Sequence, residues 1–198
     1  MQTIIWNITP GSAPAYIKRC SRCACERFES SGNFRVNANG SHIDVWLIYR
    51  CAKCGATWNI DILTRERAKS IPNELYRAFT DNDAETALKY SLRSDTLSRN
   101  NAVPDFGKVE FEIEGEVPRG TKEDTVLIRM ISEPPAIVAA ARLIAQKLGL
   151  SRSALKRLIE RGGIWSNMDL RKVKLNREAV FGLREDWEVL LRGKQNYE

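Results

Sequence analysis

The sequence predicts an α+β protein, and three observations lead to that prediction. Short runs of alternating polar and apolar residues follow one another in the first third of the 198-residue chain, which is the pattern of half-buried strands. Apolar residues recur at helical spacing further along the chain. Two Cys-x2-Cys pairs flank the first strands. We therefore expect an N-terminal β module held by its cysteines, followed by a mixed helical and β domain.

The N-terminal module is predicted to have three strands. Residues 34–38 and 42–50 are two alternating runs, and Asn39-Gly40 lies between them. This dipeptide tolerates the positive φ angles of a tight hairpin turn. Residues 57–62 alternate in the same way and give the third strand.

The remaining elements follow from periodicity and from the residues that start and stop helices. Helices are predicted at 74–79 and 84–92, a linker or loop at 94–105, and strands at 108–113 and 125–131. Two further helices are expected at 135–148 and 152–161, and an amphipathic helix within 176–191. Gly149 is a plausible residue just after the first of these helices, Ser151 is a good N-cap, and Gly162-Gly163 is a stop.

The net charge of +6 is unevenly distributed along the chain. Residues 1–67 carry nine basic and five acidic side chains, and residues 68–134 carry nine and thirteen. Residues 135–198 carry thirteen basic and seven acidic side chains. The chain is therefore basic, acidic and basic in turn, and the excess at its ends favours an anionic partner.

Several classes of protein are excluded by what the sequence lacks. Its longest candidate for a membrane span, residues 136–141, ends at Arg142, far short of the ~20 apolar residues that a span needs. No signal peptide is recognisable, so the cytoplasm, a reducing compartment, is expected. His42 is the only histidine, and no glycine-rich phosphate loop is present. A non-enzymatic protein is the expectation.

Four cysteines have the spacing of a metal site. Cys20 and Cys23 form one Cys-x2-Cys pair, Cys51 and Cys54 form another, and 27 residues separate the pairs. Each pair points two sulfurs into one concavity, and the predicted hairpin would bring the pairs together into a closed tetrathiolate site. One structural Zn²⁺ ion is predicted, which makes the module a zinc ribbon. Cys25 follows the first pair and is not expected to be a ligand.

The nature of the metal and its role leave two alternatives open. The gap of 27 residues is also close to that of rubredoxin-type iron sites, and an exposed Cys-x2-Cys pair can serve thiol redox chemistry. Basic residues flank both pairs, and nearby positive charge suits a doubly negative zinc tetrathiolate. These flanking residues are Lys18, Arg19, Arg22, Arg50 and Lys53. Zinc is therefore favoured over iron.

The segment 151–177 is strongly basic, with eight basic and two acidic residues. On a helical wheel its first part has an apolar stripe on one face and basic groups on the remainder. Such a surface can contact several phosphates and release their counterions. The candidate nucleic-acid contacts are Arg152, Lys156, Arg157, Arg161, Arg171 and Lys172. An acidic protein surface is the alternative partner.

A resemblance favours RNA among these partners. Ser151-Arg152, Leu158-Ile159, Gly162, Ile164 and Asn167 stand at matching places in the pattern of the S4 RNA-binding domain, which residues 150–167 resemble. The resemblance implies a helix pair and a following β-hairpin that present basic side chains to structured RNA. Together with the cysteine spacing and the charge distribution, it predicts three segments along the chain. They are a zinc-ribbon domain at 1–67, an acidic helical and β region at 68–134, and a basic S4-like segment at 135–198.

A second resemblance spans most of the chain. It rests on Ile5-Trp6, Arg19-Cys20-x2-Cys23, residues 34–40 and 44–49, Cys51-x2-Cys54 and residues 57–59. In these residues the chain is similar to a family of bacterial proteins known only as domain of unknown function number ten sixty-two, which implies no activity.

The function predicted from the sequence is therefore a zinc-containing protein that binds nucleic acid, structured RNA in particular, through backbone phosphates. A protein-interaction or assembly module with a structural zinc is the first alternative. A rubredoxin-like iron protein or thiol redox protein is the second.

Overall fold

The computed structural model describes residues 2–120, 124–133 and 137–192. Within them the chain has a mixed α+β fold with twelve strands and six α-helices. It divides into two compact units. Ser12–Glu110 form one, which we call the cysteine unit, and Met1–Gly11 with Phe111–Glu198 form the other, which we call the terminal unit.

The elements of the cysteine unit are β2 (Ala15–Ile17), β3 (Arg27–Asn39), β4 (His42–Cys51), β5 (Thr57–Arg67), a short 3₁₀ helix (Ala68–Ser70), α1 (Asn73–Thr80), α2 (Ala84–Leu92), α3 (Ser94–Arg99) and β6 (Val103–Asp105). Those of the terminal unit are β1 (Thr3–Pro10), β7 (Phe111–Glu114), β8 (Thr125–Ser132), β9 (Val138–Ala139), α4 (Ala140–Leu148), α5 (Arg152–Glu160), β10 (Ile164–Trp165), β11 (Lys174–Leu175), β12 (Glu178–Arg184) and α6 (Trp187–Arg192).

The sheet of the cysteine unit is antiparallel, with strand order β5-β4-β3-β2-β6. Strands β2 to β5 are neighbours in chain order, so successive turns lie at alternating ends of the sheet. The β3–β4 turn closes on the pair Asn39 and His42, with Gly40 at a φ of +61°. The β2–β3 and β4–β5 connections consequently share the opposite end, and these are the two that carry the cysteine pairs.

The core of the cysteine unit lies between the sheet and its helices. Alternate residues of β4 are buried, as its pattern of half-buried and fully buried positions shows. Phe79 of α1 packs edge-on against Phe34 of β3 with ring centroids 4.9 Å apart. Tyr16 and Tyr49 stack at 4.1 Å near the cysteine end. This apolar layer fixes the sheet whose end carries the cysteines.

The terminal unit is built on a five-stranded sheet of order β10-β12-β8-β1-β7. Strands β1 and β8 are parallel, whereas the other neighbours are antiparallel. Trp6, Ile128 and Phe181 are buried on one face of this sheet. Helix α4 contacts α5, and α5 contacts α6 and β10. Leu155 and Leu158 are the buried residues of α5.

Several local predictions are confirmed. The three predicted strands lie within β3, β4 and β5, and the predicted helices at 74–79 and 84–92 lie within α1 and α2. The Ser151 hydroxyl accepts a hydrogen bond from the backbone N–H of Ala154 at 3.1 Å and caps α5. Gly149 ends α4 in the left-handed conformation.

Two predictions about elements are wrong. Residues 94–105 are not a linker, because they form α3 and then β6, which pairs with β2. Pro104 is tolerated there because β6 is an edge strand. Residues 176–191 do contain a helix, as predicted, but α6 begins only at Trp187. The strand β12 precedes it, and in β12 Ala179, Phe181 and Leu183 alternate into the core.

The second error is the helix at 135–148, of which α4 covers only Ala140–Leu148. Val138 and Ala139 instead pair with Leu175 and Lys174 in a two-stranded sheet. The predicted start of the helix at 135 lies outside the described residues.

The predicted segments 1–67, 68–134 and 135–198 have boundaries that differ from those of the two units. Strand β1 lies in the terminal unit although it precedes the cysteines. The sheet of the cysteine unit has β2 and β6 beside the three predicted strands, and its identity as a zinc ribbon stays a prediction. None of the described helices has the length and apolar character needed to cross a membrane.

Candidate metal centre

Two loops with the same hydrogen-bond pattern carry the cysteine pairs. In the first, the N–H of Cys20 donates to the carbonyl of Cys25 at 2.7 Å, and the N–H of Ala24 donates to that of Cys20 at 3.0 Å. In the second, Cys51 donates to Ala56 at 2.8 Å and Gly55 donates to Cys51 at 3.0 Å. We call these loops, residues 20–25 and 51–56, the two knuckles.

The knuckles also match in backbone conformation. Ala24 has a φ of 57° and Gly55 a φ of +70°, so both loops turn through the left-handed region at the fourth residue after the first cysteine. Glycine adopts this conformation without penalty and alanine does not. Two loops of different sequence therefore adopt the same backbone geometry, which indicates that the same structural requirement acts on both.

The strand register brings the knuckles together. Cys51 at the end of β4 lies opposite Phe28 of β3, and the N–H of Ala52 donates to the carbonyl of Arg27 at 2.9 Å. The second knuckle is thus tied to the strand that leaves the first.

The four sulfur atoms form a compact cluster. The Sγ atoms of Cys20 and Cys54 are 3.7 Å apart, and those of Cys23 and Cys51 are 3.5 Å apart. All four lie within 4.8 Å of one another. Four sulfurs around a metal at the usual Zn–S distance of about 2.3 Å have edges of about 3.8 Å. The residues present therefore fit a tetrahedral metal ion, and the predicted ligand set is brought together.

Backbone amides and neighbouring thiols act on the cluster in opposite directions. Hydrogen bonds from the backbone N–H groups of Cys54 and Lys53 lower the pKa of Cys51 to about 6. The N–H of Cys25 also favours the thiolate of Cys23, but burial and the three other thiols outweigh it and raise the pKa of Cys23 to about 12. Crowded thiols share protons in this way until a cation replaces those protons.

The four-sulfur cluster extends from the core of the cysteine unit to its surface. Cys20 and Cys51 are buried and belong to the apolar core of the cysteine unit, Cys23 is half-buried, and Cys54 is exposed. A metal held by four cysteines has no position left for water or substrate. The chemistry of this donor set is therefore that of a structural cross-link between two hairpin ends.

The fifth cysteine has a different place. Cys25 stands where the second knuckle has Ala56, and its carbonyl closes the loop. Its sulfur lies 3.8 Å from the carbonyl oxygen of Arg27 and is not part of the four-sulfur cluster.

The structure places the six candidate nucleic-acid contacts on the terminal unit. Arg152, Lys156 and Arg157 lie on α5, Arg161 follows it, and Arg171 and Lys172 lie in the β10–β11 connection. All six are exposed.

Four of these six side chains already have partners. Lys156 is 3.7 Å from Glu160, and Arg161 donates to the carbonyl of Leu190. Arg171 and Lys172 both pair with Asp169, at 3.0 and 3.8 Å. Among the described residues Arg152 and Arg157 have no ion-pair partner, so the cationic surface is smaller than the charge count predicts.

Sequence reasoning missed an exposed apolar group on the same unit. Trp165 and Met168 are 45% and 48% exposed and line a surface pocket of about 490 Å³ together with Val180. The indole of Trp165 lies over Gly182, where an added Cβ would come within 2.1 Å of its Nε1. Gly182 lies within the continuous apolar run of residues 179–183, and a glycine inside a strand is the signal that such a close approach leaves in the sequence.

One comparison with known proteins gives a match. The model of a family described as protein of unknown function (DUF1062) matches residues 36–170, which include the second knuckle and α5. No curated protein and no solved structure matches the chain.

Proposed function

We propose that this chain, which belongs to the family of proteins of unknown function DUF1062, is a non-enzymatic zinc protein that binds structured RNA. The observation that carries the zinc part is the cluster of four sulfurs within 4.8 Å at the shared end of two hairpins. Zinc suits an all-thiolate tetrahedral site and adds folding free energy without redox chemistry. Reduced cysteines need a reducing compartment, and we place the protein in the cytoplasm for that reason.

Elemental analysis tests the metal. We expect one zinc per chain in protein purified without added metal, and a colourless solution. Iron in that proportion, with the colour of ferric thiolates, would instead support the rubredoxin-like alternative. A protein without metal whose thiols pair reversibly under mild oxidation would support thiol redox chemistry.

The RNA part of the proposal is supported by the order of elements and by charge. Helices α4 and α5 contact each other and precede the short strand β10, as in the helix pair that the S4-like resemblance implies. The hairpin that the resemblance also implies is not formed by the described strands that follow, because β10 pairs with β12 and β11 pairs with β9. Arg152 and Arg157 project from α5 without an ion-pair partner among the described residues. Contacts from such groups go to phosphates and position RNA without reading its sequence.

A double charge reversal tests this surface. In the full zinc-loaded chain, Arg152→Glu with Arg157→Glu is expected to weaken binding of a labelled RNA hairpin about tenfold or more at low salt. The matched control is Arg77→Glu with Lys89→Glu, which changes the same charge on exposed faces of α1 and α2. Equal binding by both variants would remove α5 from the RNA surface.

A protein-interaction or assembly module is the second candidate, and the exposed apolar group of the terminal unit favours it. Trp165, Met168 and Val180 are each more than a third exposed. Sedimentation should then show self-association, or purification should yield a bound partner protein, and substitution of Met168 should abolish either result. Such a result, combined with no RNA binding at low salt, would favour this candidate over RNA binding.

A further inference from the structure

We propose that the knuckle end of the cysteine unit is a second, separate surface for the phosphate backbone of nucleic acid. It is formed by five side chains that we call the knuckle cations: Lys18, Arg19, Arg22, Arg50 and Lys53. This surface shares its ligand class with the function proposed above but none of its residues, so either can fail without the other.

The first argument is the placement of these cations relative to the sulfurs. A basic residue directly precedes each of the four clustered cysteines, as Arg19, Arg22, Arg50 and Lys53. Because the four sulfurs lie within 4.8 Å of one another, chain geometry keeps the Cα atoms of these residues within about 18 Å. The fold thus brings four charges into one cluster, although they lie in two distant pairs in the sequence.

The second argument is that these charges are available. All five knuckle cations are exposed, and none of them has an ion-pair partner in the part of the chain that the structure describes. Lys18 lies over the ring of Trp58, with its Nζ 3.9 Å from the ring centroid. Acidic groups near the first knuckle are used elsewhere, because Glu29 and Asp105 both pair with Arg27.

The third argument is the size of the charge. A zinc tetrathiolate carries two negative charges, and the exposed Glu26 adds one. Glu29 and Asp105 outnumber Arg27, with which both pair, by one further negative charge. The five knuckle cations exceed these four negative charges by one, so they carry more positive charge than a counter-charge for the metal centre requires.

A nucleic-acid strand matches the knuckle cations better than an acidic protein does. One strand of a duplex carries a phosphate about every 3.4 Å along its axis, so about five phosphates fall within 18 Å. The carboxylates on the surface of a folded protein are not held at that density, and basic side chains lie between them. The geometry therefore points to a polyphosphate backbone as the occupant.

The test compares three charge-reversal variants of the full zinc-loaded chain. They are Arg22→Glu with Lys53→Glu for the knuckles, Arg152→Glu with Arg157→Glu for α5, and Arg77→Glu with Lys89→Glu as the matched control. The probe is a labelled RNA hairpin, titrated at several salt concentrations, with poly-glutamate as competitor. Zinc content is measured for every variant.

We expect the knuckle variant to lose tenfold or more in affinity at low salt and to reduce the slope of log affinity against log salt by about two or more. The control should change affinity less than about threefold. The milder Arg22→Gln with Lys53→Gln, which introduces no new charge beside the sulfurs, should keep its zinc and show a smaller loss in the same direction.

Three results would overturn the inference. They are binding by the zinc-loaded glutamine variant equal to that of the parent, an equal loss in the control, and displacement of RNA by poly-glutamate at matched charge. If the α5 variant loses affinity and the knuckle variant does not, the proposed function stands and the knuckle surface falls. The opposite outcome keeps the knuckle surface and removes α5.

Discussion

The two units carry cation clusters of similar size that differ in what surrounds them. The cysteine unit has five knuckle cations, and among the described residues none of them is paired. The terminal unit has six candidate contacts, and three of these form ion pairs with Asp169 or Glu160. The six candidate contacts therefore include fewer unpaired cations than the five knuckle cations do, although their segment has the larger net charge, which shows that a charge sum does not measure a binding surface.

Local acidic neighbours account for this difference. Asp169 stands two and three residues before Arg171 and Lys172, and Glu160 stands one helical turn after Lys156. The knuckles have no acidic residue between their cysteines. Exposed ion pairs add little to stability, but they occupy charges that a phosphate would otherwise attract.

The largest expected effect comes from removing a metal ligand, because the knuckle cations converge only where the sulfurs do. Cys51→Ser should abolish zinc binding and lower the melting temperature of the cysteine unit by more than about 10 °C, since a structural metal supplies folding free energy. Calorimetry with elemental analysis measures both. RNA affinity at the knuckle end should fall with the zinc.

Cys25→Ser is the matched control for that substitution. The Cys25 sulfur lies 3.8 Å from the carbonyl oxygen of Arg27, outside the four-sulfur cluster, and the side chain packs against the core. The zinc content should stay at one ion per chain, and the melting temperature should shift by only a few degrees. Zinc loss in this variant would place Cys25 among the ligands, and an unchanged melting temperature in Cys51→Ser would show that the centre is not structural.

The second prediction uses one sequence pattern that occurs in both units. Arg93 and Asp95 form a two-bonded pair at 2.9 and 2.7 Å on the surface of the cysteine unit. Arg184 and Asp186 form the same pair at 2.8 and 2.6 Å in the terminal unit, where Asp186 is buried. Asp186→Asn should cost about 2 kcal/mol and Asp95→Asn about 0.5 kcal/mol, because only the first removes a buried carboxylate that pairs with a partly buried guanidinium.

The pH dependence of stability distinguishes the two pairs further. The guanidinium of Arg184 holds the pKa of the Asp186 carboxyl below its ordinary value. The ionised carboxylate therefore stabilises the fold above the unfolded-state pKa of about 3.9, and this contribution is lost as the pH falls through the lower folded-state value. Denaturant melts of the parent and Asp186→Asn should differ at pH 7, and the difference should shrink as the pH falls below about 3.9. A constant difference across this range would contradict a charge-based role.

The main features of the cysteine unit could be predicted because they depend on residues close together in the sequence. The Cys-x2-Cys spacing identified the four cysteines whose sulfurs cluster, and Asn39-Gly40 identified the hairpin that brings the two pairs together, because both signals depend on only a few adjacent residues. The meeting of the two pairs also follows from consecutive strands being neighbours in the sheet. The matched left-handed residues Ala24 and Gly55 could not be foreseen, since alanine gives no sign of a positive φ.

The terminal unit was harder to predict because its pairings join distant parts of the chain. Strand β1 lies beside β8, with Trp6 opposite Met130, and no local pattern indicates such a parallel contact. Residues 179–183 form a short, continuous apolar run, which by itself does not distinguish a strand from a helix, and only pairing with β8 decides for a strand. The ion pairs of Asp169, in contrast, could have been read from spacing alone.

The smallest effect is expected from removing a counter-ion in the terminal unit. Asp169→Asn keeps an oxygen that can accept from the N–H of Arg171, as Oδ1 does at 3.1 Å, but removes the charge that both Arg171 and Lys172 contact. If the α5 side of this unit binds RNA, the two freed cations should raise affinity about two- to fivefold at low salt, with a steeper salt dependence. The control is Glu85→Gln, an equal charge change on exposed α2 of the cysteine unit. A gain for Asp169→Asn alone would make the terminal surface more like the knuckle end, whereas equal gains for both would mean that RNA responds only to net charge.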